Sequence, residues 1–371
     1  MDDMKVGIIG LPSVGKTTVL NAISGASAEI HSYSGKADAE ANFAVVSVPD
    51  TRQDWLAQHY KPKKNTHATV ELVDVAGMNP GAASKDDLSP QLLTNLRQVD
   101  ALVHVIRVFD DPSVPHPSGS IDALRDAETL ELELILADMS VVEKRLSKID
   151  AEIGRKKGTE KSKLEEEKEL LTRFSELLQS EKPLRGVELT ADEDKMIRGY
   201  TFLSQKPLMI VGNISESEIG DAGAKHLSKA AAWAAERNMP MIAFCGKAEM
   251  EIAQLDEAER GEFMEALGIE ESSRDKLIRA VYELLRLLAF FTVGEDEVRA
   301  WTITRDTNAQ EAAGKIHSDI ARGFIRAEVC SYDALHNNGS WNAAKDKGQV
   351  RLEGKEYKVQ DGDCINFRFA V

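Results

Sequence analysis

The chain has 371 residues, 42% hydrophobic and 29% charged, ordinary material for a soluble protein with two or three separately cored domains. No run approaches the roughly 18 apolar residues of a membrane span, and the opening MDDMKVGIIG is acidic and then strand-like rather than a basic leader, so a cytoplasmic protein is expected. A net charge of −16 argues against a broad electrostatic footprint on free nucleic acid but leaves room for one local docking face.

Short apolar, β-rich runs recur along the chain: KVGIIG at the start, then VVSV at 45–48, TVELVDV at 69–75, ALVHVIRVF at 101–109, PLMIVGN at 207–213 and PMIAFC at 240–245. Helix-like stretches separate several of them, the pattern of an α/β fold with a mostly parallel sheet covered on both faces. Their hydrophobicity is near-continuous rather than alternating, which suits strands buried on both sides.

The first run leads into GLPSVGKT, residues 10–17, which fits G-x-x-x-x-G-K-[ST] with a strand before it and a helix-like TTVLNAIS after it. That order of strand, loop and helix is what a phosphate-binding loop requires. Gly10, Pro12, Ser13, Val14, Gly15, Lys16, Thr17 and Thr18 form the expected cradle, with backbone N–H groups from about Ser13 to Thr18 curling around the α- and β-phosphates. Lys16 is expected to reach the β/γ oxygens as a catalytic group, and Thr17 to ligate Mg²⁺. Downstream, ELVDVAGM at 71–78 ends a strand in Asp-x-x-Gly. Asp74 is expected at the metal and Gly77 at the γ-phosphate. The next residue is Met78, where Ras-like enzymes keep a water-orienting Gln. A thioether cannot position water, so slow or partner-dependent hydrolysis is expected, with His116 in PSVPHPSGS at 112–120 as the candidate catalytic side chain.

A long charged stretch, roughly 126–200, interrupts the series of strands. Met139, Val142, Leu146, Ile149 and Ile153 step by three and four. Leu164, Leu171, Phe174 and Leu178 resume the spacing after GRKKG at 154–158. This periodicity predicts an antiparallel coiled-coil hairpin, with a pair of solvated amphipathic helices as the alternative. After the hairpin comes VGNISE at 211–216, in the place of a guanine-reading Asn-Lys-x-Asp. Asn213 is kept for the purine, Ile214 stands for the Lys, and Glu216 carries its carboxylate one methylene further out, which weakens guanine selectivity. Backbone groups near Ile214 and the CGK loop at 245–247, with Gly246, complete the expected base site.

The stretch 272–291 reads as a helix. From 291 onward the pattern is of short strands at 298–303, 325–331, 349–359 and 364–371, with a helix-like 309–323 among them. The tail carries 13 acidic and 11 basic residues, near neutrality inside an acidic protein, which favours a separate domain. Cys245, Cys330, Cys364 and the dispersed histidines have no metal-ligand spacing, so the thiols are expected to be small buried hydrophobes.

These ordered motifs resemble the YchF or Obg-like ATPases, and the resemblance covers nearly the whole chain. It rests on GLPSVGKTT at 10–18, PDTR at 49–52, DVAG at 74–77, VDALVHVIRVFDD at 99–111 and NISE at 213–216, and continues through EIAQLDEAER at 251–260, EVRAWTI at 297–303, AAGKIHSDIARGFIRAEV at 312–329 and EGKEYKVQDGD at 353–363. It implies a Ras-like nucleotide domain at 1–128 and 200–290, a coiled-coil insertion at 129–199, and a TGS domain of β-grasp type at 291–371. It also implies a slow Mg²⁺-dependent ATPase that prefers ATP to GTP and associates as a monomer with the ribosome through the TGS domain and coiled coil. In such proteins N-x-x-E accompanies adenine preference, and His116 matches by its place before Ser-Gly a histidine linked to hydrolysis.

Two departures bear on turnover. The family's first switch reads like Y-P-F-C-T-I-x-P-N, whereas this chain has YSGKADAEAN at 33–42, with Asp38 at the Thr position and Ala37 at the Cys position. Ser13 replaces an Asn that in related proteins helps hold a monovalent cation. Nucleotide binding is therefore a firmer expectation than hydrolysis, and a hydrolysis-deficient regulatory protein is the alternative. A GTPase or a small-molecule kinase ranks below both.

Overall fold

The computed structural model describes residues 4–25, 30–33, 41–75, 90–269 and 271–370. The chain divides into two compact units, one of Lys5–Ala44 with Leu72–Arg274, the other of Met1–Met4, Val45–Glu71 and Asp275–Val371. This grouping departs from the boundaries expected at 128, 199 and 290.

A seven-stranded sheet runs Ile30–Tyr33, Ala41–Ser47, Thr69–Asp74, Lys5–Ile9, Ala101–Arg107, Leu208–Asn213, Met241–Phe244. The pairs Lys5–Ile9 with Ala101–Arg107, Ala101–Arg107 with Leu208–Asn213, and Leu208–Asn213 with Met241–Phe244 are parallel. Ile30–Tyr33 and Ala41–Ser47 are antiparallel. Every residue of Ala101–Arg107 and of Leu208–Asn213 is buried, as the unbroken apolar runs require of strands covered on both faces. Leu102, Ile106, Leu208 and Ile210 share one cluster with Ala127, Leu130 and Leu134.

Those last three residues lie on the helix Ala123–Ile153, which pairs with Gly158–Gln179 to make the hairpin. Asp122 caps the first helix, its carboxylate accepting from the N–H groups of Leu124 and Arg125. The helix starts well before residue 129 because its first turns carry apolar residues for the sheet, while Ile135 and Val142 join Leu171, Phe174, Leu178 and Phe202 in a second cluster. No chain break therefore separates the insertion from the nucleotide unit at this end. Asp138, fully buried, fastens the return of the chain by accepting from the N–H groups of Leu203 at 2.8 Å and Ser204 at 2.7 Å and from the Ser204 hydroxyl at 2.7 Å. Burial pushes its carboxyl above the ordinary value, and these donors counter that effect.

The other unit holds a six-stranded sheet ordered Arg351–Glu353, Phe324–Ser331, Asp363–Phe369, Leu287–Val293, Glu297–Thr304, Lys64–Thr66. A hairpin of Leu287–Val293 and Glu297–Thr304, the helix Ala309–Ile316, and a last strand Asp363–Phe369 returning parallel to the first give it β-grasp topology. Lys64–Thr66 pairs in parallel with Glu297–Arg299, which is why 45–71 groups with the C-terminal residues. Three elements differ from expectation. The helix at 272–291 spans only Ser273–Leu284, because Arg286 takes a φ of 53° and Leu287–Val293 pairs with Glu297–Thr304 instead. The stretch 309–323 is two helices divided at His317, whose extended backbone ends the first and whose ring caps the second. Within 349–359 only Arg351–Glu353 is strand, and two short helices, Tyr332–Asn338 and Trp341–Asp346, precede it.

All three cysteines are free and buried. Burial raises each thiol above its ordinary value, as expected of inert core thiols. Among the described residues no helix is long and apolar enough to cross a membrane.

Candidate functional site

The phosphate loop leaves the strand Lys5–Ile9 at Gly10 and re-enters regular structure at the helix Lys16–Ser24. Two glycines make the path sterically possible. A Cβ on Gly10 would lie 2.3 Å from the Val105 carbonyl oxygen, and Gly15, in the left-handed region at φ 91°, would place one 2.3 Å from the Asn213 amide nitrogen. Ser13 also takes a positive φ of 62°, an unusual geometry for a residue with a side chain. Val14 is buried and anchors the loop, while Pro12, Ser13 and Thr17 are exposed.

Lys16 folds back over this loop, its Nζ donating to the carbonyl oxygens of Gly10 at 2.9 Å and Leu11 at 2.8 Å. Burial lowers the ammonium to about 8, an effect the Asp74 carboxylate partly offsets. Thr17 Oγ1 donates to Asp74 Oδ2 at 3.0 Å, with Asp74 only 7% exposed at the end of Thr69–Asp74. A hydroxyl and a carboxylate oxygen brought together beside the loop are hard oxygen donors of the kind Mg²⁺ takes, so the pair fits the ion. Gly77, Met78, Ala37 and Asp38 lie outside the described residues.

Asn213 is the hub that joins the loop to the base side. Its Nδ2 donates to the Val14 carbonyl at 2.9 Å, and its Oδ1 accepts from the Gly246 N–H at 3.4 Å. The side chain is 5% exposed, and these two bonds hold two loops together while leaving one Nδ2–H and one Oδ1 lone pair. Ile214 turns its side chain away from this hub. Its side chain is buried in the core cluster under the sheet, and its N–H donates to the Phe244 carbonyl, so it offers no apolar face to a base. Gly246 opens the helix Gly246–Ile252, close against Thr18. Glu216 begins a short 3-10 turn locked by Ser215 and Glu218, which cap each other.

His116 is not presented as a proton acceptor. The ring is 4% exposed, its Nδ1 accepts the Ser118 N–H at 3.1 Å, and its Nε2 faces Asp126 Oδ2 at 2.9 Å. An Nδ1 that accepts a backbone hydrogen bond carries no proton, so Nε2 carries it and donates to Asp126. Neither nitrogen has a lone pair left for water. His116 thus acts as a clasp between the 112–120 loop and the first turn of Ala123–Ile153.

Three side chains at the site were given no role of their own by the sequence. Arg107, fully buried, donates to the carbonyls of Phe109 at 3.1 Å, Val114 at 2.8 Å and Asp111 at 3.3 Å and so shapes the loop beside Gly15. His104 lies inside the sheet, and burial first, then the Lys16 charge, drives it down to about 3, leaving a neutral ring. Lys247 donates to Glu216 Oε2 at 2.6 Å. For Arg107 the one signal was a charge at the end of an otherwise apolar strand, and for Lys247 it was membership of the CGK loop, which gave no role to the side chain itself.

A mostly parallel sheet with a lysine-bearing phosphate loop, a Thr–Asp pair at the loop's mouth and an Asn strut from the strand Leu208–Asn213 defines a P-loop nucleotide-binding protein of the GTPase type. Family models agree with the geometry. One described as "50S ribosome-binding GTPase" matches residues 5–145, and a YchF GTPase C-terminal model, described as "Protein of unknown function (DUF933)", matches 287–370. The chain is 44% identical over 369 residues to a Bacillus subtilis protein named "Ribosome-binding ATPase YchF", covering 99% of this chain and 100% of that one. It is 36% identical to a Caenorhabditis elegans "Obg-like ATPase 1", covering 99% and 92%. The solved structure of the Schizosaccharomyces pombe YchF GTPase superposes with a TM-score of 0.87 at 31% identity, over 99% of this chain and 98% of that one. The chain belongs to the YchF family of Obg-like ATPases.

Proposed function

We propose that the chain is a slow, Mg²⁺-dependent ATPase that prefers ATP to GTP and works as a ribosome-associated conformational switch. The observation that carries the reading is the pairing of an intact phosphate loop with a base side whose Glu216 carboxylate is already bound to Lys247. Relatives named ribosome-binding ATPases over their full length support the activity and the partner.

When a nucleotide enters, Lys16 exchanges the carbonyls of Gly10 and Leu11 for the β/γ oxygens, and the N–H groups from Ser13 to Thr18 take the α- and β-phosphates. Thr17 and Asp74 would hold Mg²⁺, which would supply positive charge to neutralise the negative charge developing on the phosphate oxygens. Gly77 supplies its N–H to the γ-phosphate. Asn213 keeps the phosphate loop and the Gly246 turn in fixed register, so phosphate and base are read at a set separation. Met78 cannot align water and His116 has no free lone pair, so the isolated protein turns over slowly and a partner must complete the hydrolytic geometry. The C-terminal β-grasp unit and the hairpin present the ribosome-facing surfaces of a cytoplasmic monomer.

Titration of fluorescent ATP and GTP analogues with and without Mg²⁺ tests the reading. ATP is expected to bind at least about tenfold more tightly than GTP, the span of one charge-assisted hydrogen bond, and to lose affinity on chelation and in Thr17→Ala. Tighter binding of GTP than ATP overturns the base preference, and Mg²⁺-independent binding overturns the metal site.

A further inference from the structure

Glu216 occupies the position from which a guanine-reading Asp would accept the base N1–H and N2–H₂. In this chain its Oε2 lies 2.6 Å from the Nζ of Lys247. The two residues come from loops following different strands and meet through a short chain of contacts. Asn213 holds Val14 of the phosphate loop with one amide atom and the Gly246 N–H with the other, and Lys247 is the next residue. On the opposite side, the mutual capping of Ser215 and Glu218 fixes the turn that begins at Glu216. The ion pair is therefore tied to the phosphate loop through Asn213 rather than dangling from two free loops. The side chains are 69% exposed for Lys247 and 41% for Glu216, so the pair adds little to folding stability and its placement calls for another role.

We propose that Lys247 is a specificity-determining residue that occupies the Glu216 carboxylate and so withholds from guanine the acceptor it needs. The inference rests on the base-site reading above and names the residue that enforces it. A carboxylate already accepting from an ammonium has less to offer a second donor, and the net charge of the pair is zero. Guanine presents two donors on this edge and loses most. Adenine has no N1–H and loses little. The Glu216 hydrogen bond in turn raises the Lys247 ammonium above its ordinary value, so Lys247 stays charged at neutral pH.

The test is the ratio of Kd for fluorescent ATP and GTP analogues, with Mg²⁺, in the wild type, Lys247→Met, and Lys247→Met combined with Glu216→Gln. Lys247→Met is expected to shift the ratio toward guanine by about tenfold, the strength of one charge-assisted hydrogen bond. Adding Glu216→Gln is expected to abolish that shift, because the freed acceptor loses its charge. A ratio unchanged in Lys247→Met overturns the proposal, as does a shift that persists in the double variant, which would mean that Lys247 touches the base itself. Failure of the underlying reading looks different: the wild type would bind GTP more tightly than ATP, whatever the variants do. Thermal unfolding of all three proteins is expected to coincide, since the pair is solvent-exposed.

Discussion

Lys16 carries the most consequential single-residue chemistry. Its ammonium is lowered to about 8 because it is buried, with Asp74 only partly compensating. In the nucleotide-free protein it therefore loses its proton as pH rises through about 8, whereas beside a triphosphate the charged form is stabilised. Binding near pH 8 should take up a proton, and affinity should fall as pH rises from 7 to 9. Calorimetry of ATP binding in buffers of different ionisation enthalpy measures the uptake directly, and Lys16→Met should abolish it. The folding linkage has its own sign. A lysine whose folded value lies below its unfolded one opposes folding when charged, so this penalty is relieved as pH climbs from about 8 toward 10.5. Asn213 makes a second prediction at this scale. Asn213→Ala removes the bonds to Val14 and Gly246, and loss of two buried hydrogen bonds should weaken ATP binding by about tenfold or more, read by the same titration. Lys16, Thr17 and Asp74 were legible because their spacing is fixed by one continuous loop and one strand end. Glu216 was legible from N-x-x-E and the CGK loop from its place after the last strand, but their ion pair was not, since Glu216 and Lys247 stand 31 positions apart and no local pattern links them.

Among the elements, the hairpin shows how far periodicity reaches. Val142, Ile149, Leu171, Phe174 and Leu178 are all buried, as their three-four steps predicted, because amphipathic spacing alone decides which helix face packs. Periodicity said nothing of Asp138, a charged residue on the same helix that is fully buried and saturated with donors from 203–204. Asp138→Ala leaves two backbone N–H groups and a hydroxyl without their acceptor and should lower stability by about 2–5 kcal/mol, measured by denaturant unfolding. The parallel strands at 101–107 and 208–213 were legible because unbroken apolar runs of that length suit strands buried on both faces. The strand Leu287–Val293 was not, because the apolar run preceding it has helical spacing and only pairing with Glu297–Thr304 shows where the helix ends. The grouping of 45–71 with the C-terminal residues was hidden for the same reason, resting on the register of Lys64–Thr66 against Glu297–Arg299.

For the whole molecule, membership of the YchF family, the intact phosphate loop and the occupied Glu216 support the proposed account, an ATP-binding switch whose intrinsic hydrolysis is slow because neither Met78 nor His116 prepares water. The decisive measurement is phosphate release from ATP and GTP with Mg²⁺, with and without purified ribosomes, for the wild type and Lys16→Ala. Slow ATP turnover that ribosomes accelerate, exceeds GTP turnover and vanishes in Lys16→Ala is the predicted result. ATP turnover indistinguishable from that of Lys16→Ala in both conditions, or faster turnover of GTP than of ATP, would contradict the account.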